Sequence, residues 1–299
     1  MMLKLFRKLC RVLSIVPSPI IGIITVCMGN FFYYITPFRK KVIVQQIKKT
    51  LGREMSDPEI RNLVRKNYIH YACVMFESLI LFSIDLDKSS YIDRHFIAPG
   101  GAVLKKALAE NKGVILIGAH MGFWEAIGAY CVRNAAPVTV AVKLMKSPFA
   151  QALREEMQSH PDMHLVDERM GRQRLIAMLN ALRRKEIVGL FLDQYRAAED
   201  FIPFLGQNAR TNSTAALLWR KTRAKIILIQ ILRRKFGDYV IDIQAADPDH
   251  VPESTDAREH TRAINTYFNE RIGEVVRAHP EQWFWAHRRF KENPEFDYR

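Results

Sequence analysis

Cysteine is scarce in this chain of 299 residues: four, at Cys10, Cys27, Cys73 and Cys131, with no two near enough for a Cys-x-x-Cys element. That scatter excludes a disulfide framework and a zinc module, and it suits a reducing compartment. Acidic residues are also in short supply, 31 against 45 basic ones, which leaves a net charge of +14. Such an excess calls for an anionic partner: anionic lipid, an acidic protein or nucleic acid. No RNP-like aromatic pattern, zinc-finger spacing or recognition-helix signature accompanies the charge, so no nucleic acid is expected. Internal repeats and low-complexity segments are absent too. What remains is ordinary globular material, 48% hydrophobic and 25% charged, long enough for one large domain or two small ones.

Charge is missing altogether from Val12 to Phe38, between Lys4, Arg7, Lys8 and Arg11 on one side and Arg39, Lys40 and Lys41 on the other. As one helix this run would reach roughly 40 Å at about 1.5 Å per residue, against a bilayer core of about 30 Å. Residues 1–40 therefore read as a hydrophobic membrane anchor. Pro17, Pro19, Gly22 and Gly29 interrupt it, and Phe31, Phe32, Tyr33 and Tyr34 form a group suited to the interface. Basic flanks on both sides favour an anchor that enters the bilayer without crossing it fully. The run is too long for a signal peptide, and no small-x-small site follows it.

From about residue 42 to 95 the pattern is helical, with a start at Ser56-Asp57-Pro58-Glu59, where proline and acids suit a first turn. Beyond residue 100, apolar strand-like runs at 114–118, 138–142, 164–166, 187–192, 225–232 and 239–243 alternate with helical segments at 101–110, 124–133, 148–159, 172–184 and 213–222. Alternation of this kind predicts an α/β fold with a mostly parallel central sheet flanked by helices. The run Arg233 to Asp238 joins the last two strands as a hairpin, which gives an antiparallel edge. A long polar helix follows over 256–278. Residues 41–299 form a single domain in this reading, with a helical lead-in over 41–100.

Ligands of open α/β sheets bind beyond the carboxyl ends of the strands. Two predicted strands end in polar groups, Gly118-Ala119-His120 and Leu192-Asp193-Gln194, and parallel strands would bring these tips to one edge. On a continuous helix His120 and Glu125 would point about 140° apart. With Gly122 permitting a tight turn, Glu125 can instead reach back and hydrogen-bond one imidazole nitrogen while the other faces a substrate. Such a pair suits general-base activation of an alcohol; the alternative is a buried histidine satisfied by a neighbouring acid. No second ligand pair at metal spacing accompanies them, so no metal and no cofactor are expected.

The segment Gly118-Ala119-His120-Met121-Gly122-Phe123-Trp124-Glu125 resembles the H-x-G-N-W-E element of the bacterial lauroyl/myristoyl (late) acyltransferases of lipid A biosynthesis. These enzymes belong to the wider HxxxxD/E acyltransferases. Further blocks recur in the family's order: Lys112-Gly113-Val114-Ile115, Leu182-Arg183-Arg184, Gly189 to Gln194, Phe204-Leu205-Gly206 with Arg210-Thr211, and Gln282 to Lys291. The resemblance implies an O-acyltransferase at the bacterial inner membrane, its catalytic domain facing the cytoplasm. Its donor would be an acyl-acyl carrier protein and its acceptor a lipid A precursor. His120 would be the base and Glu125 its orienting acid. The oxyanion donors stay open between backbone N–H groups near Gly122 and a nearby arginine. Asp193 and Gln194 are candidates for positioning substrate, or caps of the following loop. Arg154, Arg210 and Arg288 are candidates for phosphate, or solvated surface. Thr211 and Ser213 are read as helix caps. Phe123 stands where the family usually has asparagine, and Asn212 to Ala216 lacks a proline often found there. Both departures bear on the acceptor, so another glycolipid or an amino-acid-based lipid stays open. A different class would be a non-catalytic basic membrane-binding protein.

Overall fold

The computed structural model describes residues 2–84, 90–142 and 160–298. The helix expected over 148–159, and Arg154 with it, lie outside these residues.

The uncharged amino-terminal run is divided. Helix α1 (Met2–Ile15) and helix α2 (Ser18–Tyr34) meet at a bend of 112°, and no single helix is long and apolar enough to cross a membrane. The single anchor helix is thus corrected to a bent pair. Val16 precedes a proline and is pushed out of helical conformation, and Pro17 has no N–H to continue the ladder; Pro19 then sits in the first turn of α2. One side of α2 faces inward, with Ile21, Thr25, Gly29 and Tyr33 buried at four-residue spacing. Gly29 allows close approach to the next long helix, since a Cβ there would lie 2.4 Å from the Cα of Ile69. The opposite side leaves Ile20, Ile23, Phe31, Tyr34, Ile35 and Phe38 exposed.

Helix α3 (Lys40–Thr50) leads to α4 (Asp57–Phe82), whose start is fixed by a capping box: the Ser56 N–H donates to Glu59 Oε2 at 2.7 Å. Short helix α5 (Tyr91–His95) runs into β1 (Phe96–Ile97). The remaining elements alternate as predicted: α6 (Gly101–Ala109), β2 (Val114–Gly118), α7 (Ala126–Asn134), β3 (Val138–Val142), β4 (Met163–Asp167), α8 (Arg172–Arg183) and β5 (Ile187–Phe191). Then come β6 (Phe201–Phe204), β7 (Gln207–Arg210), α9 (Thr214–Thr222), β8 (Lys225–Lys235), β9 (Asp238–Ala245) and α10 (Ala257–Ala278).

Seven strands form the main sheet in the order β1-β9-β8-β2-β5-β3-β4. Strands β8, β2, β5, β3 and β4 are mutually parallel, while β9 pairs antiparallel with β8. The expected antiparallel edge is therefore one strand inside the edge, because β1 adds to β9 in parallel. Strand β2 is buried along its whole length, as an apolar run covered on both faces should be. Its side chains alternate: Ile115 and Ile117 enter a core shared with α8, α9, α10 and the segment after residue 282, whereas Val114 and Leu116 pack toward α6 and α7. Strands β6 and β7 form a separate hairpin that strand periodicity did not reveal. Its two-residue turn holds Leu205 and Gly206 at φ 51° and 77°, the positive angles of a tight hairpin turn.

Candidate active site

Strands β2 and β5 lie side by side in parallel, with Gly118 opposite Phe191. Their tips therefore emerge together, and His120 meets Asp193. The His120 backbone N–H donates to Asp193 Oδ2 at 2.8 Å, and its ring Nδ1 lies 2.9 Å from Asp193 Oδ1. The indole of Trp283 donates to the same Oδ2 at 2.8 Å. Burial alone would raise the pKa of Asp193, whose side chain is 1% exposed. The opposing effect of His120 and of three hydrogen bonds wins and holds it below the usual carboxylate range. An ionised Asp193 fixes Nδ1 as the protonated nitrogen and leaves Nε2 as the reactive one.

The motif acid sits elsewhere. Helix α7 begins at Ala126, so Glu125 is its N-cap residue and not part of its first turn. Its Oε2 is hydrogen-bonded to Ser78 of α4, and Ser78 Oγ also reaches Val74 O at 2.7 Å. The expected Glu125-to-imidazole hydrogen bond is absent; the nitrogen it was to hold belongs to Asp193. Glu125 is surrounded by protein atoms yet open to solvent on one side, as a residue lining a recess is. Burial, with the neighbouring Glu77, raises its pKa, while the hydrogen bond from Ser78 and the nearby His120 act in the opposite direction. Half-buried aromatic rings flank the imidazole, Phe191 at 4.7 Å and Trp124 at 5.7 Å between centroids, with Phe284 5.9 Å beyond Trp124. The result is a histidine oriented by an ionised acid, an adjacent acid of raised pKa and an apolar wall.

The chain matches the bacterial lipid A biosynthesis acyltransferase family over residues 4–292. It belongs to that family. Among curated relatives it is 27% identical over 208 residues to the lipid A biosynthesis palmitoleoyltransferase of Escherichia coli (strain K12). The same figures hold for a lipid A biosynthesis acyltransferase of Shigella flexneri. Each of these matches covers 69% of this chain but only 64% of the relative. With the lipid A biosynthesis lauroyltransferase of E. coli (strain K12), identity is 23% over 282 residues, 93% of this chain and 88% of the relative.

In this lipid A acyltransferase-family chain the remaining predicted site residues divide sharply. Gly122 has φ 58°, and an added Cβ would lie 1.8 Å from Ile231 O. Its N–H donates to Gln282 O at 3.0 Å, and the N–H groups of Met121 and Phe123 donate to Ala119 O and Ile231 O. Gly122 is thus a backbone-approach position against β8, and its N–H is not available to an oxyanion. Asp193 stands behind the histidine, enclosed, with its carboxylate on His120 and the Trp283 indole. Gln194 contributes its carbonyl to Arg289 Nη1 at 3.2 Å. Arg210 is tied by its Nε to Glu292 at 2.6 Å and by Nη1 to Glu199 O at 2.5 Å, so it braces β7 against the carboxyl-terminal segment instead of awaiting a phosphate. Arg288 is exposed. Phe123 turns away from the recess: it is 0% exposed and packs against Phe96 and Tyr239. The helix cap ahead of α9 comes from Asn212, whose Oδ1 accepts the Thr214 N–H at 2.9 Å, and not from Thr211 or Ser213.

Several supports went unread in the sequence. Phe284 N–H donates to His120 O at 2.9 Å, so the segment after residue 281 clamps the loop that carries His120. Asn67 Nδ2 of α4 reaches the carbonyls of Glu281 and Trp283, and Gln46 Nε2 of α3 those of Trp285 and His287. These buried amides satisfy irregular backbone that no regular element could serve. Glu77 makes a two-pronged ion pair with Arg233 of β8 and accepts from Tyr239 Oη at 2.8 Å. His70 Nδ1 lies 2.8 Å from Arg233 Nη1. Polar residues in mid-helix are the one signal that pointed to them: Asn67, His70 and Glu77 lie at helical spacing within an otherwise apolar face of α4.

Proposed function

We propose that this chain transfers a fatty acyl group from a thioester, carried by an acyl carrier protein, to a hydroxyl of a lipid A precursor or a closely related glycolipid. The observation that carries the reading is His120 Nδ1 on the buried Asp193 carboxylate, which leaves Nε2 as a base. Nε2 takes the proton of the acceptor hydroxyl as its oxygen attacks the thioester carbonyl. The tetrahedral intermediate collapses with cleavage of the C–S bond, and the proton held on Nε2 passes to the departing sulfur, giving ester and free thiol. Asp193 stabilises the imidazolium between these steps, and Glu125 adds a second negative field when ionised. The N–H groups of Trp124 and Glu125 make no hydrogen bond among the described residues and are our choice for the oxyanion. The exposed apolar side of α1 and α2, with basic residues at either end, supports an interfacial seat on the inner membrane that places the site on the cytoplasmic side.

His120→Ala tests the reading. Purified protein incubated with acyl carrier protein donors and candidate acceptors, followed by mass spectrometry of the lipids, should show the acyl mass increment with wild type and none above background with the variant. Circular dichroism and vesicle binding should be unchanged. Transfer that survives the substitution would remove His120 from the chemistry.

A further inference from the structure

Helix α3 and the segment from Arg288 to Tyr298 enclose a groove of about 960 Å³, well apart in sequence from the loop that carries His120. Six cationic residues and one acidic residue, Asp297, line it, so its field is strongly positive. Not all six are equally available. Lys40 Nζ lies 3.7 Å from the centre of the Tyr33 ring and donates to Tyr33 O, and Lys48 pairs with Asp57 at 2.8 Å. Arg39 donates one Nη1 bond to Ala286 O. Lys41, Lys49 and Arg288 meet no carboxylate among the described residues; Lys49 and Arg288 only lie over the rings of Phe296 and Tyr298, at 5.7 and 5.6 Å. The rest of the lining is apolar apart from Gln45, with Pro37, Val42, Val44 and the Tyr298 ring between the cations.

The groove begins at Pro37, immediately after α2, beside the exposed Phe31, Tyr34, Ile35 and Phe38. Cationic groups, an apolar lining between them and a neighbouring apolar surface are what a phospholipid at the bilayer interface would meet. An acidic protein would be matched by the cations alone and would have to cover the apolar surface as well. We propose that this groove seats the phosphate headgroup of an anionic bilayer lipid, with Lys41, Lys49 and Arg288 on the phosphate and the apolar lining against the glycerol and upper acyl chain. The proposal rests on the membrane seat proposed above. It adds a defined, saturable lipid site to the general attraction of a basic surface.

The test uses the full chain and dihexanoyl phosphatidylglycerol as dispersed monomers, measured by titration calorimetry. Wild type should bind saturably, and Lys41→Glu/Lys49→Glu should bind at least about tenfold more weakly. Dihexanoyl phosphatidylcholine should bind feebly to both. Lys41→Gln/Lys49→Gln, a gentler change, should lose a smaller part of the affinity and guards against misfolding of the first variant. Equal binding by wild type and variants overturns the proposal. So does inorganic phosphate that binds as tightly as the lipid. So, too, does an acidic carrier protein that both variants lose while keeping the lipid. Vesicles of phosphatidylcholine alone report on the apolar face separately: if wild type ignores all vesicles, the membrane seat fails, and the monomer titration still decides the groove.

Discussion

Two carboxylates compete for the role beside His120, and their surroundings separate them. Asp193 is enclosed, holds three hydrogen bonds and has a lowered pKa; Glu125 opens onto the recess and has a raised one. Asp193→Asn should therefore lower kcat by about 10²–10⁴, because the amide offers its N–H₂ where the imidazole needs an acceptor and favours the wrong tautomer. Glu125→Gln should reduce activity without loss of stability near neutral pH. The sign follows from the raised pKa: the folded state holds the proton more tightly, so an ionised Glu125 costs stability above its unfolded value, and glutamine removes that cost. Parallel kcat measurements and melting curves on the two variants check this. A harmless Asp193→Asn beside a dead, destabilised Glu125→Gln would restore the motif acid as the orienting group. The HxxxxE spacing singled out His120, and the strand-tip argument brought Asp193 to the same edge. What it could not supply was the partner: the distance between Asp193 and His120 is set by the β2–β5 register, and periodicity carries no register. Phe123 failed for a related reason: its N–H is bonded to Ile231 O of β8 and its ring packs on Phe96 and Tyr239, contacts between distant segments that periodicity does not carry.

Between elements, a buried polar link is the Glu77–Arg233 pair joining α4 to β8, with side chains 0% and 8% exposed. Glu77→Gln leaves a largely buried guanidinium without its counter-charge and should cost about 3–5 kcal/mol. Glu77→Leu combined with Arg233→Met should recover most of that loss. Urea unfolding of the three proteins measures both effects; a double variant no more stable than Glu77→Gln would show that the pair contributes more than mutual neutralisation. The main strands were legible because each is an apolar run of strand length between turn residues, and β2 and β3 lie within their expected bounds. The β6–β7 hairpin was not, because Phe201-Ile202-Pro203-Phe204 has a proline within it and Gln207 to Arg210 is almost wholly polar. The anchor helix was overextended because an uncharged run measures length and says nothing of the bend that Pro17 imposes.

Across the whole molecule, burial of histidine sets the response to acid. Burial pushes His287 down to about 4, against an upward pull from Asp193, and burial with the neighbouring Arg233 holds His70 well below its ordinary value. Between pH 6.5 and about 4 the unfolded chain takes up protons that the folded chain refuses, so stability should fall as the pH falls through that window. Glu125 opposes the trend over part of the range, while Asp193, whose pKa is lowered, adds to it at the acid end. The melting temperature should be lower at pH 5 than at pH 7, and His287→Gln should flatten the slope; a variant that tracks wild type would clear His287 of the effect.

The clamp on the His120 loop also carries a consequence in time. A ribosome delivers His120 and then Asp193 long before Trp283 and Phe284, yet these last two supply the indole bond to Asp193 and the backbone bond to the His120 carbonyl. A nascent chain can form β2 and β5 and still hold an untrained imidazole. The indole bond to Asp193 and the backbone bond to the His120 carbonyl therefore form only after residues 283 and 284 have been made.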